Sequence, residues 1–107
     1  MDEIFRRRLY PRRHVGVEVT LMRDRGSPIR AHTLEIGGGG MRIESERPLA
    51  VDEVLNFDLP LHGYPIEGHA RVLREHGPNV YALRFEVFSD SSLDRVLQFV
   101  DGFADTA

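Results

Sequence analysis

The chain contains no cysteine, which excludes disulfides, thiol catalysis, cysteine-ligated zinc and iron–sulfur clusters within its 107 residues. Lysine is absent too, and all fourteen basic residues are arginine. That removes the lysine of a Walker loop and every lysine-base or Schiff-base mechanism, while keeping the planar fork with which arginine holds phosphate. No apolar run approaches the roughly 20 residues that a membrane helix needs. The first thirteen residues carry arginines but no apolar stretch of signal-peptide type. These absences predict a cytoplasmic chain with no membrane insertion. The serines and aspartates between Ser89 and Asp94 have no evident base or oxyanion partner, so they read as helix caps and no enzyme is predicted.

What is present is an ordinary globular composition, 41% apolar and 29% charged, in a length that suits one domain with a modest core. The net charge of −3 conceals an asymmetry. Residues 1–13 hold five arginines against two acids, whereas residues 14–107 hold nine arginines against fifteen acids. A basic arm on an acidic body suits a compact local anion better than a long polyanion. Nucleic acid is therefore not an expected partner, and exposed aromatics interleaved with the arginines, as single-strand binders use, are lacking.

Period-two alternation over Val15–Leu21 predicts a half-buried strand with Val15, Val17, Val19 and Leu21 inward. After a turn cluster at 23–28, further extended stretches are predicted over Ile29–Ile36, Met41–Glu44, Val54–Leu59, Ile66–Val72 and Val80–Phe85. The run Gly37–Gly40 reads as a loop whose backbone tolerates positive φ and close approach by a ligand or another chain. The period then changes: Leu93, Val96, Leu97, Val100 and Phe103 share one helical face. The predicted organisation is all-β, a basic arm over 1–14, a six-stranded antiparallel barrel over 15–88 and a helix over 89–104 packed on the barrel.

Two segments carry candidate chemistry. Arg8-Leu9-Tyr10-Pro11-Arg12 is an R-x-x-x-R spacing stiffened by Pro11, and two guanidiniums held that way can fork onto neighbouring phosphate oxygens and stack on a purine. Leu34–Ile43 contains the glycine run, whose successive N–H groups can form an anion-binding concavity, preceded by Glu35, which can accept from the N1–H and N2–H₂ edge of guanine. His14, two residues after Arg12, would edge the same site.

An R-x-x-x-R, then a strand, then an acid-x-small-x-x-Gly turn closing into an apolar strand resembles the PilZ family. The likeness extends through Arg47-Pro48-Leu49, Ile66–Val72 and Tyr81–Phe85. It implies a bacterial second-messenger receptor, a six-stranded barrel whose arginine arm wraps cyclic di-GMP as a regulatory ligand, with no cofactor. Carried over by position, Arg8 and Arg12 match the family's phosphate- and guanine-contacting arginines. Arg7 resembles the extra arginine of members that bind a stacked nucleotide pair. Glu35 stands where the family has Asp or Asn, Gly37 stands in place of its Ser, and Gly40 matches its final glycine. Loss of the serine hydroxyl costs about 0.5–1.5 kcal/mol of contact. The resemblance also implies a protein partner in a bacterial signalling pathway and leaves room for a homodimer.

The alternative is a degenerate PilZ-like adaptor that binds a protein partner in motility or surface-appendage machinery without nucleotide. No metal site is expected. His62, His69 and His76 are evenly spaced, but seven extended residues span about 23 Å at roughly 3.3 Å each, too far to share an ion.

Overall fold

The computed structural model describes residues 12–61, 64–87 and 94–100. Seven strands form one sheet: β1 (Arg12–Arg13), β2 (Glu18–Met22), β3 (Ile29–Gly37), β4 (Gly40–Ser45), β5 (Val54–Leu61), β6 (Tyr64–Gly77) and β7 (Val80–Val87). The order is β1-β3-β2-β5-β6-β7-β4, and β4 also pairs with β3. That last pairing closes β2 to β7 into a six-stranded antiparallel barrel in which each strand has two neighbours, so no barrel edge is left to recruit a foreign strand. Residues 94–100 form a helix, α1. Among the described residues no helix is long and apolar enough to cross a membrane.

Alternation explains the interior. In β5 the odd positions Leu55, Phe57, Leu59 and Leu61 are buried, and Val19, Leu21, Ile29, Ile43, Ile66, Val72 and Leu83 meet them from the other strands. Phe57 and Phe85 stack at a tilt, centroids 5.1 Å apart. From α1, Val96, Phe99 and Val100 join the same core. Leu97, assigned to the apolar face by its spacing, is only half-buried, and Phe99 takes the interior place. Leu93 and Phe103 lie outside the described residues.

The first predicted strand is interrupted rather than continuous. β1 and β2 flank the same side of β3, with Arg12 opposite Gly37 and Glu18 opposite His32. Six steps along one chain therefore face five along the other, and the extra residue falls in 14–17. Thr33 fills the interruption. Its buried hydroxyl accepts from Val17 N–H at 2.8 Å and donates to the Val15 carbonyl at 2.5 Å, while its own N–H donates to the Val17 carbonyl at 2.8 Å. A threonine inside the barrel thus satisfies backbone groups that a regular ladder would have paired.

The same stretch of β3 bulges against β4. Thr33 faces Ile43 but Glu35 faces Arg42, so one extra residue lies between them. Unbroken alternation from Ile29 would have pointed Glu35 into the core. The bulge shifts the phase, burying Ile36 and leaving Glu35 at the outer surface.

Candidate functional site

The candidate site lies where the end of the arm, Arg12–Arg13, meets the β3–β4 hairpin. Arg12 pairs through its backbone with Gly37, and Arg13 pairs with Ile36. The end of the R-x-x-x-R segment is thereby hydrogen-bonded onto the strand that carries Glu35 and Gly37. Arg7 and Arg8 lie outside the described residues. The tetraglycine is less of a loop than its composition predicts: Gly37 ends β3, Gly40 opens β4, and only Gly38 and Gly39 form the bend. Among the described residues the glycines at positive φ are Gly26 and Gly77, so positive φ is not what the glycine run supplies.

Gly40 is required by space instead. A Cβ placed there would lie 2.1 Å from the Leu83 carbonyl oxygen, inside the β4–β7 contact. β7 lies against the hairpin because Gly40 pairs with Arg84 and Gly39 accepts from Phe85 N–H at 2.9 Å. The glycine that matches the end of the sequence motif therefore has a packing reason to be there.

Glu35 is the acid of the site. Its side chain is only 12% exposed, and its Oε2 lies 3.7 Å from an Arg42 terminal nitrogen and 3.8 Å from His14 Nδ1. Arg42 reaches it because the two residues are cross-strand partners. Sequence reading did not single out Arg42 as a site residue. Its signal was its place two residues after Gly40, on the same face of β4.

Two further arginines extend the basic surface beyond Gly40. Arg84 faces Gly40 from β7, and Arg71 faces Arg84 from β6. Both bind Glu86, Arg71 Nε at 3.1 Å and Arg84 through a terminal nitrogen at 2.7 Å. The hydrogen bond from Arg71, then that from Arg84, holds the Glu86 carboxyl below the usual carboxylate range. That acid stays charged and tethers both guanidiniums.

Arg13 faces away from this surface toward the helix. Its guanidinium carbon sits 4.2 Å from the Phe99 ring centroid, and a terminal nitrogen donates to the Phe99 carbonyl at 3.1 Å. The cation is thereby placed against the face of a ring on α1. The residue after Arg12 thus ties the arm to α1, a contact that no spacing in the sequence displays.

A family model described as the PilZ domain matches residues 6–102. This chain belongs to the PilZ domain family. The match spans the arm, the barrel and α1, and PilZ domains are regulatory binding domains. Among solved structures the chain is similar to the inhibitor of motility MotI/DgrA from Bacillus subtilis, with TM-score 0.80 and 18% identity over 91% of this chain. It spans about half, 51%, of that protein's length. It is also similar to the PilZ domain of CeSA from a cellulose-synthesizing bacterium, with TM-score 0.67 and 18% identity over 87% of this chain and 97% of that one. An uncharacterized Legionella protein aligns with TM-score 0.55 and 18% identity, covering 89% of this chain and 95% of the other. At these identities the likeness establishes the fold. No curated protein matches the sequence.

Proposed function

We propose that this PilZ domain is a receptor for cyclic di-GMP that converts nucleotide binding into a change of interaction surface. The observation that supports the reading is the backbone pairing of Arg12 with Gly37, which sets the last residue of the R-x-x-x-R segment against the hairpin that carries Glu35, Gly37 and Gly40. Arg8 and Arg12 fork onto the two phosphates and stack on guanine, with Arg7 adding a contact if a second nucleotide stacks on the first. Glu35 accepts from the guanine N1–H and N2–H₂ groups. At Gly37 the hydroxyl contact of the family serine is lost, a deficit of about 0.5–1.5 kcal/mol that a bridging water can partly restore. Ordering of the arm over the bound nucleotide alters the surface that a signalling partner meets, the logic of order–disorder switches. On this reading the domain works in the bacterial cytoplasm.

Calorimetric titration of the wild-type domain beside Arg8→Ala and Arg12→Ala tests the proposal. Micromolar or tighter binding that either substitution abolishes is the expected result. No heat with any cyclic dinucleotide rejects it. One observation favours a second reading, the nucleotide-free adaptor: Glu35 already faces Arg42 and His14 within the chain. An adaptor would show no ligand-dependent stabilisation and would bring down a reproducible protein partner.

A further inference from the structure

The bulge in β3 sets a carboxylate and a guanidinium side by side on the outer face, Glu35 Oε2 and an Arg42 terminal nitrogen 3.7 Å apart. The two differ in how they are engaged. Arg42 Nε is buried and has no hydrogen-bond partner among the described residues. On the neighbouring strands, Arg71 and Arg84 both spend donors on Glu86. The Nε is closed to a ligand, but the Arg42 side chain as a whole is 39% exposed, so the terminal nitrogens beside Glu35 are the donors that a ligand can meet.

The hydrogen-bonding edge of guanine supplies a match. It runs from the O6 acceptor through N1–H to the N2–H₂ donors, so a carboxylate placed on the two donors leaves O6 facing whatever stands beside the carboxylate. Here that neighbour is a guanidinium, which donates and cannot accept. Adenine presents the reverse pattern at the same places: its N6–H₂ donor would meet the guanidinium, and its N1 lone pair would meet the carboxylate.

We propose that Arg42 is a specificity-determining residue, completing with Glu35 a carboxylate–guanidinium pair that reads the O6–N1–N2 edge of guanine and rejects adenine. This rests on the receptor reading above and adds a residue and a selectivity to it. Sites built around a base's donors and acceptors reject the wrong base because their own polar groups are then left unpaired.

Affinities for cyclic di-GMP and cyclic di-AMP, measured by calorimetry on the wild type, Arg42→Ala and Arg42→Gln, test it. The wild type is expected to prefer the guanine ligand. Arg42→Ala should weaken cyclic di-GMP about ten- to hundredfold, the range of one good base contact, while leaving cyclic di-AMP within roughly twofold, so the preference collapses. Arg42→Gln keeps an amide donor for O6 and should fall between the two, and it carries the test if the alanine variant melts at the assay temperature. Arg25→Ala, in the exposed β2–β3 turn, removes an equal charge and should change neither affinity. Equal losses for both ligands, or an unchanged preference in both Arg42 variants, would overturn the assignment while the receptor reading stands. A wild type that binds neither ligand overturns both.

Discussion

Replacing Gly40 with alanine separates a packing role from a ligand role. The added Cβ would sit 2.1 Å from the Leu83 oxygen and 3.1 Å from both Leu83 C and Arg84 Cα, all backbone atoms that have no rotamer to adopt. Relief requires β4 and β7 to separate by roughly 1 Å, which disrupts about two backbone hydrogen bonds, including Phe85 N–H to Gly39 at 2.9 Å. Two such bonds at about 0.5–1.5 kcal/mol each, with overpacking strain of about 1–3 kcal/mol, give a loss of about 2–6 kcal/mol. Small domains hold only about 5–15 kcal/mol in total, and each kcal/mol moves the melting point by about 4–8 °C. Thermal denaturation followed by circular dichroism should therefore show Gly40→Ala melting at least about 8 °C below wild type. Gly16→Ala is the matched control: its Cβ would meet only the Thr33 oxygen at 3.8 Å, an ordinary contact, so its melting point should stay level or rise slightly. A Gly40→Ala domain that melts with the wild type would refute the steric account and return this glycine to the ligand alone.

Thr33→Val removes the hydroxyl that serves both Val15 and Val17, leaving a part-buried N–H and carbonyl unpaired, and should cost about 1–3 kcal/mol in denaturant unfolding without changing the m-value. Arg13→Ala should loosen α1, read as faster amide exchange over residues 94–100, at a stability cost of about 1–2 kcal/mol. Acid stability should depend on Glu53. Its carboxyl is held below its ordinary value of 4.5 chiefly by the Arg23 hydrogen bonds, against the opposing effect of burial, with help from Ala50 N–H. The unfolded chain then takes up this proton first as pH falls. The contribution is complete above 4.5 and is lost as pH drops through the lower folded value, so Arg23→Ala should lower the neutral region of a stability–pH curve modestly and flatten its acid limb, the variant and wild-type curves meeting at low pH.

Much of this architecture is written in period-two alternation, because each strand of a closed barrel buries one face and the pattern survives wherever the ladder is regular. Leu55 to Leu59 and Ile66 to Val72 were legible for that reason, whereas the continuation of β5 to Leu61 was not. What alternation conceals is a change of phase. The extra residue between Thr33 and Glu35 is invisible in a run of mixed residues, yet it decides that Glu35 faces outward toward Arg42. Thr33 itself reads as one more strand residue until its partners at 15 and 17 are known. The glycine run was legible as a hairpin, but the reason for Gly40 depends on β7, more than forty positions away. Long-range contacts of that kind also account for Arg13: its ring contact with Phe99 crosses most of the chain, and nothing near either residue announces it.

Thermal melting with and without cyclic di-GMP is the most direct measurement of the central claim, since a ligand that binds only the folded domain must stabilise it. At a hundredfold excess over its dissociation constant the gain is about 2.7 kcal/mol, which should raise the melting point by about 10–20 °C in the wild type and by far less in Arg12→Ala. A wild-type melting point indifferent to cyclic di-GMP at millimolar concentration would contradict the account.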